Sequence, residues 1–138
     1  MGNYAELLGI KIVDGAPGAP LCLLPFSDDL EGRRGFLHGG VIAGLLELAA
    51  YRALNHALGA HHGMALKPVN VTVDFMRNGA PRQSFAQGRI MKLGSRIANI
   101  HAQAWQEDPD RPIAAARMNF LLEPASGQPA GPPVQSLA

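Results

Sequence analysis

The chain has one cysteine and one tryptophan in 138 residues, with 6% aromatic and only 17% charged residues. Each shortage excludes something. A lone Cys22 makes no intrachain disulfide and offers none of the paired-cysteine spacings that hold zinc, so a reducing compartment, the cytoplasm, is expected. A formal net charge of +1 leaves no basic excess for nucleic acid, and no basic stripe surrounds Trp105 or Tyr51 to make a base-stacking platform. The longest apolar run, residues 41–46, falls far short of the roughly 20 residues that cross a bilayer. The opening "MGNYAELLGIKIVDG" lacks the basic start and apolar core of a signal peptide. A soluble protein without a membrane partner is expected.

What is present suits one domain. Hydrophobic residues make up 47% of the chain, enough for a core at this length. The domain is expected over residues 1–123, followed by a flexible Pro/Gly-rich tail over 124–138. "NYAELLGI" reads as a short amphipathic helix, and "IKIV" and "PLCLLPF", separated by "DGAPGAP", read as a hairpin. From Gly39 to about Leu58 apolar residues fall on every side of the helical wheel, which predicts a helix surrounded by protein. The period then changes to two. In "VNVTVDFM" Val69, Val71, Val73 and Phe75 alternate with Asn70, Thr72 and Asp74, the pattern of a half-buried strand. "RQSFAQGRIMKL" and "RIANIHAQAWQ" form a hairpin turning at "GS", and "RPIAAARMNFLL" returns after "EDPDRP". Ala98, Ile100, Ala102 and Ala104 share one face, as do Ala114, Ala116, Met118 and Phe120, and such small residues admit a helix closely. The expected fold class is α+β: an antiparallel sheet wrapped around one long central helix.

Chemistry concentrates in "FLHGGVIAGLLELAAYRAL", residues 36–54, where an acid interrupts an apolar helix. Helical spacing sets Glu47 on one face with Gly40, Ala43, Gly44, Ala50 and Tyr51. Gly44 inside a helix costs about 1 kcal/mol relative to alanine, which is explained if a ligand or another chain must approach there. Amides at a helix N-terminus polarise a carbonyl oxygen, and Gly39 and Gly40 stand there. Taken alone, the pattern equally allows Glu47 as a helix residue paired with Arg52, and His38 as a helix cap or packed loop histidine.

"HGGVIAGLLE", with its acid nine positions after the histidine, resembles the hotdog-fold acyl-CoA thioesterases of the PaaI-like, phenylacetic acid degradation group. "VTVDFMRNGAP" and "GRIMKLGSRIANIHAQAW" are similar to that family's next strand and hairpin, and the likeness spans roughly residues 5–122. The resemblance implies a hotdog fold and thioester hydrolysis without metal or cofactor. Gly39 would donate its amide to the carbonyl oxygen, Glu47 would act as base or nucleophile, and His38 would orient the substrate or loop. Gly40, Gly44, Tyr51 and Asn70 would contact the substrate. Arg89, Lys92 and Arg96 would hold coenzyme A phosphates, with Arg33 and Arg34 as other candidates. A homodimer with the site at its interface is implied, and a homotetramer formed as a dimer of dimers.

Three positions depart from that family's pattern. Gly32 stands where many members have asparagine, Pro68 where several have Ser or Thr, and the acid is Glu where PaaI-like members usually have Asp. Pro68 offers neither hydroxyl nor N–H, so water positioning falls to Tyr51, Asn70 or the backbone. His56, His61 and His62 lack neighbouring acids or cysteine and read as a helix end and turn in place of a metal site. Two rival readings remain: a hotdog protein that binds acyl-CoA or a fatty-acyl ligand without turnover, and a hydroxyacyl-thioester dehydratase. The dehydratase would normally need a His–acid pairing that the sequence does not display.

Overall fold

Helix α2, Gly39–Leu58, is the element on which the sheet is laid down. Ile42, Leu45, Leu46, Ala49, Ala50, Ala53 and Leu54 are all buried, as the all-round apolar wheel requires. Its start is capped by His38, and its end is set by Gly59, whose φ of 95° falls in the region glycine adopts freely. His62 closes the turn beyond, hydrogen-bonding Asn55 Oδ1 through Nε2 and accepting the Met64 N–H at Nδ1. The structure, a computed structural model, describes residues 3–13 and 18–124.

A six-stranded antiparallel sheet curls around this helix. Short helix α1 (Asn3–Leu8) leads into β1 (Lys11–Val13) and β2 (Leu21–Leu24); a single 3₁₀ turn at Asp28–Leu30 precedes α2. After α2 come β3 (Met64–Phe75), β4 (Ser84–Leu93), β5 (Ile97–Trp105) and β6 (Ala114–Pro124). The strand order is β1-β2-β4-β5-β6-β3, which leaves β1 and β3 at the edges. This is the α+β hotdog arrangement that the sequence led us to expect.

Small residues decide how close the helix lies. Ala98, Ala102 and Ala104 of β5 and Ala114 and Ala116 of β6 are buried beneath it, with Ile100, Met118 and Phe120 filling the remaining space. At Gly88 of β4 the sheet meets the helix backbone closely, because a Cβ there would stand 2.8 Å from the Ala49 carbonyl oxygen.

Strand β3 differs from expectation. Val71, Val73 and Phe75 do lie opposite the inward-facing Met118, Ala116 and Ala114 of β6. Yet Val71 is 37%, Phe75 56% and Val69 58% exposed, so of these four residues Val73, packed against the core, is the one half-buried in the single chain. The helix rests mainly on β4 and β5 and barely reaches this edge. Val69 has a second cause: the ladder slips between Pro68 and Asn70, where proline supplies no N–H and a bulge results.

The loop after β3 anchors the start of α2. The Leu37 N–H donates to the Gly79 carbonyl at 3.0 Å. Gln106 clamps the same loop, accepting from the Ala80 N–H at 3.0 Å and donating to the Ala80 carbonyl at 2.9 Å and to Ser84 Oγ at 3.0 Å. Pro124, expected to begin the tail, is the last residue of β6 and pairs with Met64; the rest of the expected tail lies outside the described residues. Among the described residues no helix is long and apolar enough to cross a membrane.

Candidate active site

A hollow of about 490 Å³ opens beside α2, and its helix wall is Gly40, Gly44, Glu47, Leu48 and Tyr51. Helical periodicity alone accounts for Gly40, Gly44 and Tyr51 sharing a face with Glu47, since they are seven, three and four residues from it. Pro68 of β3 and Met118 and Phe120 of β6 form the opposite wall, and Tyr4 of α1 closes one side. Tyr51 also packs against Phe120, ring centroids 6.3 Å apart. The lining is thus mostly apolar, with one carboxylate and two phenols as its polar groups. Ala43 and Ala50, placed on the same wheel face, are not among the lining residues, and Ala50 instead lies over Gly88.

Glu47 is half-buried and carries no ion pair among the described residues, where the bridges are Lys67–Glu123 and Arg82–Glu107. The pairing with Arg52 is therefore not made. Arg52 lies on another side of the helix with Pro20, Asn55 and His56, and its buried Nε has no hydrogen-bond partner. A carboxylate in an apolar hollow without a counter-ion is available to a ligand or to water.

At the helix start the amides divide between two tasks. His38 Nδ1 accepts the Gly40 N–H at 2.9 Å, and the His38 carbonyl accepts from Val41 and Ile42. Gly39 N–H has no protein acceptor among the described residues, which leaves it as the available donor of the glycine pair. A neutral His38 accepting at Nδ1 carries its proton on Nε2. Gly32 packs against this histidine: a Cβ there would lie 3.0 Å from His38 Cα, so a larger side chain needs the loop to move. Beside Gly39 stands the exposed ring of Phe75, 3.6 Å from where a Cβ would be.

The remaining expected site residues lie elsewhere in the single chain. Asn70 does not line the hollow; its side chain accepts from Asn119 Nδ2 at 2.9 Å, and Asn99 donates to Asn119 Oδ1 in turn, a ladder across three strands. Arg89 lines a separate hollow with His101 and Arg117, and Lys92 lies opposite Asn99. Arg96 sits by Met64 and Glu123 near the β4–β5 turn. None of these three cations reaches the Glu47 hollow in one chain.

Sequence reasoning missed Tyr4, Leu48, Met118 and Phe120 as lining residues. Leu48 is four residues from Gly44 and three from Tyr51, so helical spacing placed it within reach of that argument. Tyr4 had no local signal, because its place follows only from α1 docking over Gly44. Among the described residues no group of three or more His, Cys, Asp or Glu stands ready for a metal ion.

Comparison with known proteins bears on the family and the fold. A family model described as thioesterase superfamily matches residues 34–113, which include the His-Gly-Gly entry and Glu47. A solved protein structure from Chromobacterium violaceum is 36% identical, covers 86% of this chain and 81% of its own, and superposes with a TM-score of 0.67. The phenylacetic acid degradation protein PaaI from Thermus thermophilus, in a mutant form, is 22% identical over 86% of this chain and 96% of its own, TM-score 0.72. A thioesterase from Haemophilus influenzae is 18% identical over 89% and 84%, TM-score 0.77. These last two show likeness of fold. No curated protein sequence matches the chain.

Proposed function

The chain belongs to the thioesterase superfamily, and from that premise we propose that it hydrolyses the thioester of an aryl- or medium-chain acyl-CoA to free acid and coenzyme A. The observation that carries this reading is the unpaired Glu47 carboxylate in an apolar hollow on the same helix as the unoccupied Gly39 amide. Water adds to the thioester carbonyl carbon, the C–S bond breaks, and the departing thiolate takes up a proton. Gly39 N–H stabilises the developing oxyanion, an interaction that typically lowers such a barrier by about 2.7–4 kcal/mol. Glu47 either removes the proton from water or attacks the carbonyl itself, giving a mixed anhydride that water then hydrolyses. His38 acts through its grip on Gly40: by occupying that amide it fixes the first turn and leaves Gly39 to the substrate. Pro68 supplies no hydrogen bond in the hollow, so the Tyr51 and Tyr4 hydroxyls are the side chains that orient water or acyl group.

A second copy of the chain completes this site. The exposed inner residues of β3, Val71 and Phe75, lie with the bulged Val69 at an unpaired sheet edge, and such an edge needs a partner. Phe75 adjoins Gly39, so a copy docking on β3 covers the start of the helix as well. A dimer is the minimum assembly, and two dimers form the tetramer. Coenzyme A phosphates then meet basic residues of a neighbouring copy, since Arg89, Lys92 and Arg96 stand away from the hollow in their own chain.

Free-thiol release from a panel of acyl-CoAs, with phenylacetyl-CoA and hydroxybenzoyl-CoA included, tests the reading. The Glu47→Gln variant keeps size and shape while removing the base, and turnover falls by about a hundredfold or more. Absence of thiol release from every thioester, alongside tight binding of coenzyme A, overturns the enzyme reading in favour of a binding protein.

A further inference from the structure

The outer face of the sheet, turned away from α2, carries a row of cationic and titratable side chains. Arg89 of β4 is the cross-strand partner of His101 of β5, and His101 is the partner of Arg117 of β6. Their chain neighbours Gly88, Ala102 and Ala116 are buried beneath the helix, so strand alternation turns all three side chains outward. They line a hollow of about 430 Å³ whose further walls include Trp105, Gln103 and Asp74.

This juxtaposition is unfavourable without a counter-charge. Arg89 and Arg117 flank His101 one strand to each side, so at a strand spacing of about 4.8 Å their backbones stand roughly 9.5 Å apart, within a Debye length of about 10 Å, and their like charges repel. Asp74 is the one acid lining the hollow, and it is the partner of Ala115, one step off the row. Among the described residues neither arginine forms an ion pair, because the bridges there join Lys67 to Glu123 and Arg82 to Glu107. Lys92 adds a further positive charge on the adjoining row, opposite Asn99. Two guanidinium forks on either side of an imidazole match the several oxygens of a tetrahedral oxyanion better than they match a single carboxylate.

We infer that the outer sheet face holds a phosphate-type oxyanion between Arg89, His101 and Arg117. The site is separate from the Glu47 hollow, which lies on the other side of the same sheet, and it does not depend on the chain being a thioesterase. The anion has two sources, free phosphate or the phosphate of a coenzyme A ligand held by another copy.

Titration calorimetry with inorganic phosphate at low ionic strength is the test, on the full chain and on its Arg89→Gln/Arg117→Gln double variant. Saturable binding with one anion per chain is expected, weakened about tenfold or more in the double variant, a change of about 1.4 kcal/mol. The His101 ring signals in NMR shift on adding phosphate to the wild type, whereas those of His56 and His61 stay in place. The phosphate-free double variant melts at or above the wild-type temperature, since repulsion is relieved; a purely structural role for the arginines would lower it. Absence of saturable binding, or binding that the double variant leaves unchanged, overturns the inference. Coenzyme A and its form lacking the 3′-phosphate then distinguish the sources. Weakening by the double variant confined to coenzyme A marks the ligand's 3′-phosphate, weakening of both marks its diphosphate, and equal affinity of both for wild type and variant marks free phosphate.

Discussion

The Tyr4 phenol sits directly against Gly44 of the central helix: a Cβ on that glycine would meet Tyr4 Oη at 2.5 Å and Cε2 at 2.9 Å. The contact explains a glycine that helix propensity disfavours. Gly44→Ala gains about 1 kcal/mol of helix propensity but must displace the phenol from the wall of the Glu47 hollow. Steady-state thiol release from the variant is expected to show KM raised about tenfold, equivalent to about 1.4 kcal/mol, with little loss of thermal stability. An unchanged KM would remove Tyr4 from the substrate site.

His38 contributes through its cap. The Nδ1 acceptor on Gly40 is the kind of bond that Asn or Asp also makes, so His38→Asn keeps the helix start and most of the thiol release. His38→Ala loses the cap and costs about 1 kcal/mol in urea unfolding. Loss of turnover in His38→Asn at full stability would instead make the imidazole itself part of the chemistry.

Gly88→Ala tests a close approach of sheet and helix. The added methyl would meet the Ala49 carbonyl oxygen and Ala53 Cβ at 2.8 Å and Ala50 Cα at 3.2 Å, atoms that cannot swing aside as a side-chain tip can. Overpacking of this kind costs about 1–3 kcal/mol, measured as a lower denaturation midpoint. A variant as stable as the parent would show that α2 is free to lift from β4.

Burial pushes the Cys22 thiol up to about 11 from 9.0, against the opposing pull of the Arg52 guanidinium. The folded chain therefore holds this proton more tightly than the unfolded chain does. That contribution is complete below pH 9 and is lost as pH rises from 9.0 towards about 11. Melting temperature should fall across this interval, and Cys22→Ala should flatten the fall. Native protein near neutral pH should react with a thiol reagent only on unfolding; rapid reaction of the folded chain would contradict the burial.

Much of this was legible in local pattern. The all-round apolar wheel gave α2 its bounds, and period two in β5 and β6 gave the buried faces, because backbone geometry alone sets where successive side chains point. The same rule grouped Glu47 with Gly40, Gly44 and Tyr51, all of which line one hollow. Asn70 does not join them in the single chain for a related reason: alternation set it opposite Val69 and Val71, and the outward face it occupies is the one that the helix does not cover.

From the sequence by itself come the elements, their faces and the acid-glycine pairing on one helix, since these depend on residues a few positions apart. Only the tertiary structure decided what meets those faces. It brought Tyr4 to Gly44 and Phe75 to Gly39, gave the Gly40 amide to His38, left Val71 and Phe75 of β3 exposed, and aligned Arg89, His101 and Arg117 across three strands. Those relations join residues far apart in the chain, and strand order and helix docking, settled by packing the whole core at once, determine them.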